Sequence, residues 1–484
     1  MNAPVRRLSL LVGALFAALL VSTTLIQYVF AADLNARGDN RRTLLATYAR
    51  ERGEILVGQD AVARSVPTDD EFRFQREYAD GELYSHVTGF YSFYGASGGL
   101  EQAENALLSG ASDKLFYRRV SDLFTGRSPQ GATLETTLDP AVQQAASDGI
   151  GDNRGAAVAL DPRTGAVLAM VSKPTYDPNS LAGHDLAALD ETYQQLQGAE
   201  NRPLVNRAIG GDLYPPGSVF KVVTAAAALS DGEYTADSVL PGGAELDLPL
   251  TDTPLPNFGN QPCSASGEVT LRQALITSCN PAFGDLGMKL GQDTLREQAA
   301  MFGFGDELSV PMRVTPSSIG ADLNEPQLAQ SAIGQFEDRV TPMQMAMVAA
   351  GVANDGIVMQ PYLVESVIGS DLSVIESADP GELSEAVSPD VAETLTEMMV
   401  ATVDEGTGRN AQIGGVQVAG KTGTAEHGEG RRAHAWFISF APADDPQIAV
   451  AVVVEDGGES GEQTGGGAVA APIARQMMEA RLNR

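Results

Sequence analysis

An uncharged apolar run near the N-terminus is the feature that most constrains this chain. No charged residue lies between Leu8 and Phe30, and a helix of that length crosses the ~30 Å hydrocarbon layer of a membrane. Arg6 and Arg7 precede the run, and basic residues beside a span stay on the cytoplasmic side. The sequence therefore predicts a single-pass membrane protein with a short cytoplasmic stub and its bulk outside.

A cleaved signal peptide is the alternative interpretation of this run, because residues 29–31 could serve as a small-residue cleavage site. The apolar core of a signal peptide has ~7–15 residues, and this run is longer, so an uncleaved anchor is favoured. Cys263 and Cys279 then lie in an oxidising compartment. A disulfide between them is modestly favoured over two small buried thiols.

The charge balance restricts the partners of the chain. Its 484 residues carry a formal net charge of −31, whereas a nucleic-acid-binding surface needs lysine and arginine to neutralise phosphates. Nucleic acid is therefore not expected as a partner, and neither is broad adhesion to anionic lipid. Lysine occurs only at positions 114, 173, 221, 289 and 421, so a lysine within a motif carries unusual weight.

The length suits two or three folded units. A polar helical stretch at 35–52 is followed by short extended runs at 54–67 and 81–94, which indicate a β-rich module. A turn at 128–131 marks a domain boundary. The predicted organisation is a cytoplasmic stub, a transmembrane anchor, an N-terminal module and a main domain, at residues 1–7, 8–30, 31–130 and 131–484 respectively.

The main domain has strand-like runs at both of its ends. Apolar runs at 155–160 and 166–172 flank a turn, and three more follow at 416–419, 435–440 and 448–454. Helix-like runs fill the interval between them. This order predicts an α+β domain whose single sheet is assembled from distant segments of the chain.

Ser218 and Lys221 form the first candidate site. They follow two prolines and a glycine in the segment 214–221, and a spacing of three places both on one face of a helix. A serine hydroxyl needs a neighbouring base to become a nucleophile, and a lysine serves as that base if burial or a second cation lowers its pKa. An ordinary capping serine beside an exposed lysine explains the pattern equally well.

Two further motifs lie downstream. Ser278 and Asn280 flank Cys279 at the end of a helical stretch, where a hydroxyl and an amide can face a cleft or simply cap the helix. Lys421, Thr422, Gly423 and Thr424 follow a strand, and they offer a cation and hydroxyls for a carboxylate beside a glycine that permits close approach. Each motif taken alone is weak.

The order Ser-x-x-Lys, Ser-x-Asn, Lys-Thr-Gly resembles the active-site set of penicillin-binding proteins and class A β-lactamases. Cys279 stands where that set has aspartate. Further segments resemble the scaffold of class B penicillin-binding proteins, most of all short members of the PbpA type: 52–55, 155–165, 206–207, 334–335, 341–342 and 434–437. The resemblance implies a serine β-lactamase/transpeptidase-like antiparallel sheet flanked by helices, with an extended β-rich N-terminal module.

By this resemblance the chain is a peptidoglycan D,D-transpeptidase that β-lactams inactivate. Ser218 attacks D-Ala-D-Ala stem peptides, Lys221 is the general base, and Ser278 relays the proton. Asn280 and the 421–424 segment hold the donor peptide and its carboxylate, with an oxyanion hole at the N–H groups of Ser218 and Thr424. The resemblance also places the Cys263–Cys279 disulfide beside the site, and it implies no cofactor or metal.

Several rival functions share these motifs. A D,D-carboxypeptidase uses the same site with water as the acceptor, and the sequence does not separate the two. A β-lactamase is disfavoured because the chain has an anchor, an extra module and no clear Glu-x-x-Leu-Asn. A non-enzymatic penicillin sensor would need a cytoplasmic signalling segment longer than residues 1–7. The N-terminal module is too short for a glycosyltransferase domain, so the resemblance implies a separate SEDS-type polymerase as partner.

Two other patterns are set aside. Ser97 lies in a Gly-x-Ser-x-Gly pattern typical of α/β-hydrolases, but the alternating strands and helices of that fold are missing from the sequence, so a turn residue is expected. The four histidines lack a metal-ligand spacing, since His427 and His434 are seven apart and no His-Glu-x-x-His occurs.

Overall fold

The architecture was obtained as a computed structural model. It describes residues 3–30, 34, 48–116, 130–427, 431–458 and 465–483. Most of the polar helix expected at 35–52 and half of the turn expected at 128–131 lie outside these ranges.

Fourteen α-helices are present in the described residues. They are α1 Ala3–Thr24, α2 Gly81–Thr88, α3 Gly99–Ala103, α4 Asn105–Leu108, α5 Pro140–Ile150, α6 Leu186–Gly198, α7 Lys221–Asp231, α8 Leu271–Thr277, α9 Asn280–Leu290, α10 Gln292–Met301, α11 Glu325–Ser331, α12 Pro342–Ala353, α13 Pro389–Asp404 and α14 Gly466–Leu482.

Nineteen strands accompany them in the same residues. They are β1 Ile55–Val57, β2 Asp60–Pro67, β3 Phe74–Tyr78, β4 Phe90–Ser92, β5 Gly95–Ser97, β6 Thr133–Thr136, β7 Gly155–Leu160, β8 Val167–Lys173, β9 Val239–Pro241, β10 Glu245–Leu246, β11 Leu255–Pro256, β12 Glu268–Thr270, β13 Ile357–Met359, β14 Val364–Ile368, β15 Val374–Ser377, β16 Glu382–Glu385, β17 Ala419–Ala425, β18 His434–Ala441 and β19 Ile448–Val454.

The N-terminal apolar run is helical. Helix α1 continues through a π-helical turn to Val29, and an 18-residue window within Ala3–Val29 has a mean hydropathy of 2.2 and is not buried against the rest of the protein. By length and composition it can cross a membrane. The helix begins earlier than the uncharged run, because it also takes in Arg6 and Arg7.

A five-stranded antiparallel sheet forms the centre of the main domain, in the order β17-β18-β19-β7-β8. Its strands come from both ends of the domain, as the sequence predicted. Asp139 caps α5 by accepting hydrogen bonds from the N–H groups of Ala141 and Val142, with Pro140 in the first turn. The central sheet and its helices confirm the predicted α+β fold class.

Each face of this sheet is covered by helices. On one face α5 and α14 pack against side chains such as Phe437 and Val452. On the other face Trp436 and Ile438 join the larger core, which includes most of α7 and α12. Because side chains alternate along a strand, Lys421, which pairs with Ile438, faces the larger helical side.

A second, six-stranded sheet has the strand order β15-β14-β6-β1-β2-β3. Strands β1–β3 come from the N-terminal module and the other three from residues after 131, so the two segments share one sheet. The expectation of extended structure throughout 81–94 is wrong. Residues Gly81–Thr88 form helix α2, whose residues 84–88 are buried.

A buried turn supports the region where the motifs meet. The Asp338 carboxylate oxygen Oδ1 accepts hydrogen bonds from the Ser331 hydroxyl at 2.7 Å and the Gly320 N–H at 3.3 Å. Burial raises the pKa of Asp338 to about 8, so the carboxyl group is mainly protonated at neutral pH. The turn between these residues contains Gly334, which contacts the Ser218 segment described next.

Candidate active site

Ser218 lies on a tight 3-10 turn, Gly217–Phe220, that leads directly into α7. Gly217 has a φ of +56°, and its N–H donates to the Gly334 carbonyl at 2.8 Å. Glycine is required at 334, because a Cβ there would lie 2.1 Å from the Gly217 carbonyl oxygen. The α-helix proper begins at Lys221, slightly later than the sequence suggested. Ser218 is partly exposed, whereas Lys221 is buried.

Lys221 reaches across to the second motif. Its Nζ donates to the Ser278 carbonyl and to Asn280 Oδ1, both at 2.7 Å. The same nitrogen lies 3.3 Å from the Ser278 hydroxyl oxygen. Lys221 is completely buried, so these contacts replace its hydration.

Ser278 and Asn280 occupy the junction between α8 and α9. Ser278 has a φ of +59°, a left-handed conformation that costs a non-glycine residue ~1 kcal/mol or more and clusters at functional sites. Asn280 donates from Nδ2 to the Pro256 carbonyl at 3.0 Å. An amide nitrogen has two hydrogens, so one of them is still available for a ligand.

Lys421 completes the cluster from the edge strand β17. Its Nζ donates to the Ser278 hydroxyl at 2.9 Å and to the Thr422 carbonyl at 2.9 Å. The Ser278 hydroxyl therefore lies between two lysine nitrogens. Three motifs that are distant in the sequence thus meet in one cluster. The turn that carries Ser218 lies at one side of this cluster.

The hydroxyl of Ser218 differs in its hydrogen bonding from the other side chains at the site. Within the described part of the chain it makes no hydrogen bond, although its residue is three places before Lys221 on the same turn. The structure therefore brings together Lys221, Ser278, Asn280 and Lys421 by direct contact. It leaves the partly exposed Ser218 hydroxyl free to meet a substrate.

Burial changes the acidity of both lysines. Desolvation, and secondarily the positive charge of Lys421, lowers the pKa of Lys221 well below its usual value. Desolvation lowers the pKa of Lys421 to about 7. Both shifts favour the neutral amine, and Lys221 also experiences the repulsion of Lys421.

The 421–424 segment is only partly arranged as the motif suggested. The Thr422 hydroxyl lies 2.7 Å from the Thr407 hydroxyl, on the strand face opposite Lys421. A Cβ at Gly423 would lie 2.8 Å from the Cβ of Trp436 and 3.0 Å from Val219. The space beside Gly423 is thus filled by protein, so this glycine lets the Ser218 turn pack on the strand.

Cys263 and Cys279 form a disulfide, with their Cα atoms 5.7 Å apart. Cys279 is fully buried, and its sulfur is bonded to Cys263 and lies 3.9 Å from the Pro241 carbonyl oxygen, whereas Ser278 and Asn280 contact Lys221. The bridge ties the junction between α8 and α9 to the segment around β9–β12. The cysteine in the middle of this motif thus has a structural role as half of the bridge.

Several residues around the site were not found from the sequence. Asn257 accepts a hydrogen bond from the Asn280 N–H through its Oδ1 at 3.1 Å, Pro256 accepts from the Asn280 side chain, and Thr407 meets Thr422. None of them belongs to a motif of fixed spacing. Only the long-range packing of the chain brings them to the site.

A histidine pair near β17 was also missed. The rings of His427 and His434 stack with centroids 3.5 Å apart, and Asp456 lies 2.8 Å from His427. These three groups are close enough to surround a metal ion. However, His434 Nδ1 accepts the Asp456 N–H at 3.1 Å, so the other ring nitrogen carries the hydrogen. The arrangement thus leaves His434 no lone pair for a metal.

Ser97 is not placed on a nucleophile elbow. It ends strand β5 and pairs with Phe90 in a short hairpin, so it is a strand residue rather than the turn residue expected. Helix α3, which follows it, has five residues.

Family models match most of the chain. The transpeptidase domain of penicillin-binding proteins matches residues 155–479, and the dimerisation domain of penicillin-binding protein A matches residues 52–134. The fold and the cluster at Ser278 agree with the first match. The chain therefore belongs to the penicillin-binding protein family, as a member with a transpeptidase domain.

Relatives narrow this assignment to one type. The chain is 47% identical to the peptidoglycan D,D-transpeptidase PbpA of Mycolicibacterium smegmatis, over 100% of this chain and 99% of that protein. It is 45% identical to PbpA of Mycobacterium tuberculosis, with the same coverage. The crystal structure of penicillin-binding protein A from M. tuberculosis as a ceftriaxone acyl-enzyme superposes with a TM-score of 0.87 at 44% identity, covering 90% of this chain and 100% of that one. The resemblance to PbpA-type proteins is confirmed.

Proposed function

We propose that the chain is a peptidoglycan D,D-transpeptidase with Ser218 as its nucleophile. The observation that carries this proposal is the convergence of Lys221, Ser278 and Lys421, with the Ser278 hydroxyl within 2.9 Å of one lysine nitrogen and 3.3 Å of the other. The M. tuberculosis relative, at 44% identity, forms acyl-enzymes with β-lactams. A serine acyltransferase accounts for both.

Lys221 is the general base in this mechanism. A neutral amine has two hydrogens and one lone pair, and the two 2.7 Å contacts to Ser278 and Asn280 use both hydrogens. The lone pair is then available for the proton of the Ser218 hydroxyl. As Ser218 Oγ bonds to the carbonyl carbon of the penultimate D-alanine, that proton passes to Lys221 Nζ.

The negative charge that develops on the carbonyl oxygen requires donors. A Cβ on Gly217 would lie 2.8 Å from the Thr424 carbonyl oxygen. The N–H and C=O of a residue point to the same side of an antiparallel strand, so the Thr424 N–H also faces the Ser218 turn. With the Ser218 N–H it forms the oxyanion hole, where each donor contributes ~3–4 kcal/mol.

Collapse of the tetrahedral intermediate breaks the bond to the terminal D-alanine. The proton held by Lys221 passes through the Ser278 hydroxyl to the leaving nitrogen, and D-alanine departs as the free amino acid. The amine of a second stem peptide then attacks the ester, loses a proton to the same relay and restores the Ser218 hydroxyl. Asn280 holds the donor peptide, and the 421–424 segment of β17 binds its carboxylate.

The N-terminal apolar helix supports the proposed placement of the chain. Residues 1–7 lie in the cytoplasm, residues 8–30 cross the membrane, and the remainder works on peptidoglycan outside the cell. Residues 31–130 form an interaction module and residues 131–484 the catalytic domain. The match of residues 52–134 to a dimerisation domain supports an interaction role for the module.

The products of the reaction test this proposal. With stem peptides that end in D-Ala-D-Ala and carry a free acceptor amine, the full-length protein is expected to release D-alanine and form cross-linked dimers, measured by mass spectrometry. Shortened monomers without dimers would identify a D,D-carboxypeptidase instead. Absence of D-alanine release from protein that is labelled by penicillin would point to a binding role.

A SEDS-type polymerase is the partner proposed for glycan synthesis. The two matched segments are a transpeptidase domain and a dimerisation domain, and neither of these polymerises glycan. The anchored protein is expected to co-purify with such a polymerase from membranes. Recovery of the anchored protein alone, under conditions that preserve other membrane complexes, would contradict the partnership.

A further inference from the structure

The segment that leads into Ser218 is held from two sides. On the helical side, the Tyr214 N–H donates to the Val340 carbonyl at 3.0 Å, and the Gly217 N–H donates to Gly334. On the sheet side, Trp436 Nε1 donates to the Pro215 carbonyl at 3.1 Å. The position of Ser218 relative to strand β17 depends on both sets of contacts.

A carboxylate adds a further contact from the sheet. Glu455 directly follows β19, and its Oε1 accepts the Tyr214 hydroxyl at 2.8 Å. The same oxygen accepts Arg207 Nε at 2.8 Å, and Oε2 pairs with Arg154 at 2.7 Å. Burial and the adjacent carboxylate raise the pKa of Tyr214, so its hydroxyl remains a hydrogen-bond donor.

Glu455 is itself fixed. Its N–H donates to the Arg154 carbonyl at 2.7 Å, and the next N–H, of Asp456, donates to His434. Arg207 also donates to the carbonyls of Arg202 and Asn201, at 3.1 and 2.8 Å. The Glu455 carboxylate is only 10% exposed, and two arginines neutralise its charge.

We propose that Glu455, acting through the Tyr214 hydroxyl, is a positioning residue that sets Ser218 against the edge of β17 for acylation. This inference rests on the proposed nucleophilic role of Ser218. Glu455 touches neither substrate nor reacting atom. It fixes the end of the sheet to the turn that carries the nucleophile, and so holds the Ser218 hydroxyl, the Lys221 amine and the Thr424 N–H in one geometry. A misplacement of ~1 Å in such a geometry costs up to ~100-fold in rate.

Tyr214→Phe is the sharpest test, because it removes one oxygen and leaves the backbone and Trp436 contacts in place. In the full-length protein, the acylation rate constant for a fluorescent penicillin is expected to fall by about tenfold. The dissociation constant of the preceding non-covalent complex is expected to stay within about twofold. Both come from labelling time courses at several concentrations.

Two further variants separate positioning from a general loss of structure. Tyr94→Phe is the matched control, since the exposed Tyr94 hydroxyl donates to Asp190 at 2.8 Å, far along the chain from the site. It is expected to acylate at the wild-type rate. Tyr214→Phe combined with Glu455→Gln is expected to be no slower than the slower single variant, because both changes act on one contact.

Two results would overturn the inference. The first is a Tyr214→Phe variant that acylates at the wild-type rate, whether or not its melting temperature is lowered. The second is a double variant whose loss of acylation rate equals the product of the losses in the two single variants. A wild-type protein that penicillin does not label at Ser218 would instead overturn the proposed function. The two failures are therefore distinguishable.

Discussion

Ser218→Ala is expected to abolish covalent labelling of the full-length protein by a fluorescent penicillin. The variant lacks the oxygen that forms the acyl ester, and no other hydroxyl occupies the same position on the turn. Because the Ser218 hydroxyl makes no hydrogen bond within the described residues, its removal should leave the fold intact. Label is read after denaturing electrophoresis, and thermal unfolding is measured alongside.

The matched control for this experiment is Ser97→Ala. Ser97 lies in the other serine motif of the chain, at the end of β5, and this variant is expected to label as fully as the wild type. Label retained by Ser218→Ala would place the nucleophile elsewhere. Label lost by Ser97→Ala in a folded protein would revive the hydrolase pattern that was set aside.

Lys221→Met is expected to slow acylation by about 10²–10⁴-fold, the usual contribution of a general base. Methionine has a similar length and is readily buried, so the α7 packing is retained. The Ser278 carbonyl and Asn280 Oδ1 each lose a donor. Acylation is measured with the same penicillin, and Lys289→Met, which removes a largely exposed lysine paired with Asp285, is the control.

The acylation rate of the wild type is expected to change with pH in a defined direction. The base works only when Lys221 is neutral, so the wild-type acylation rate falls as pH drops through the pKa of Lys221. That pKa is lowered first by burial and then by Lys421, so the wild type remains active well below pH 10.5. Lys421→Met removes the second cause, so the pKa of Lys221 rises and the acid limb of the rate moves to higher pH.

Two outcomes would contradict the role of Lys221. One is a Lys221→Met variant that acylates within a fewfold of the wild type. The other is an acid limb that stays in place, or moves to lower pH, in Lys421→Met. Either result would assign proton transfer to a different group, and the Ser278 hydroxyl between the two lysines is the first to consider.

Local signals along the chain predicted part of the fold. Apolar runs on either side of a turn predicted the hairpin of β7 and β8, and the structure confirms it. The stretch at 81–94 was misjudged because its aromatic and β-branched residues favour strands. In the structure, residues Gly81–Thr88 instead form helix α2, which packs against the main domain. Local propensity loses to tertiary packing there.

The candidate site was predictable in its residues but not in its arrangement. The order of three motifs, two of them containing rare lysines, singled out Ser218, Lys221, Ser278 and Lys421. Their roles stay predictions until the variants are measured. The orientation of Thr422 toward Thr407 and the packing role of Gly423 had no sequence signal, because both depend on which neighbour fills the space.

The sequence by itself determined which chemical groups the chain can use, where an apolar helix can span a membrane, and that strands from both ends of the main domain form its central sheet. These properties are local, since they depend on residue type and on spacing along the chain. Only the tertiary structure decided that one hydroxyl lies between two buried amines, that a disulfide flanks it, and that Glu455 reaches Tyr214. Such contacts join residues that are far apart in the chain, and their energies come from burial and packing that no local pattern encodes.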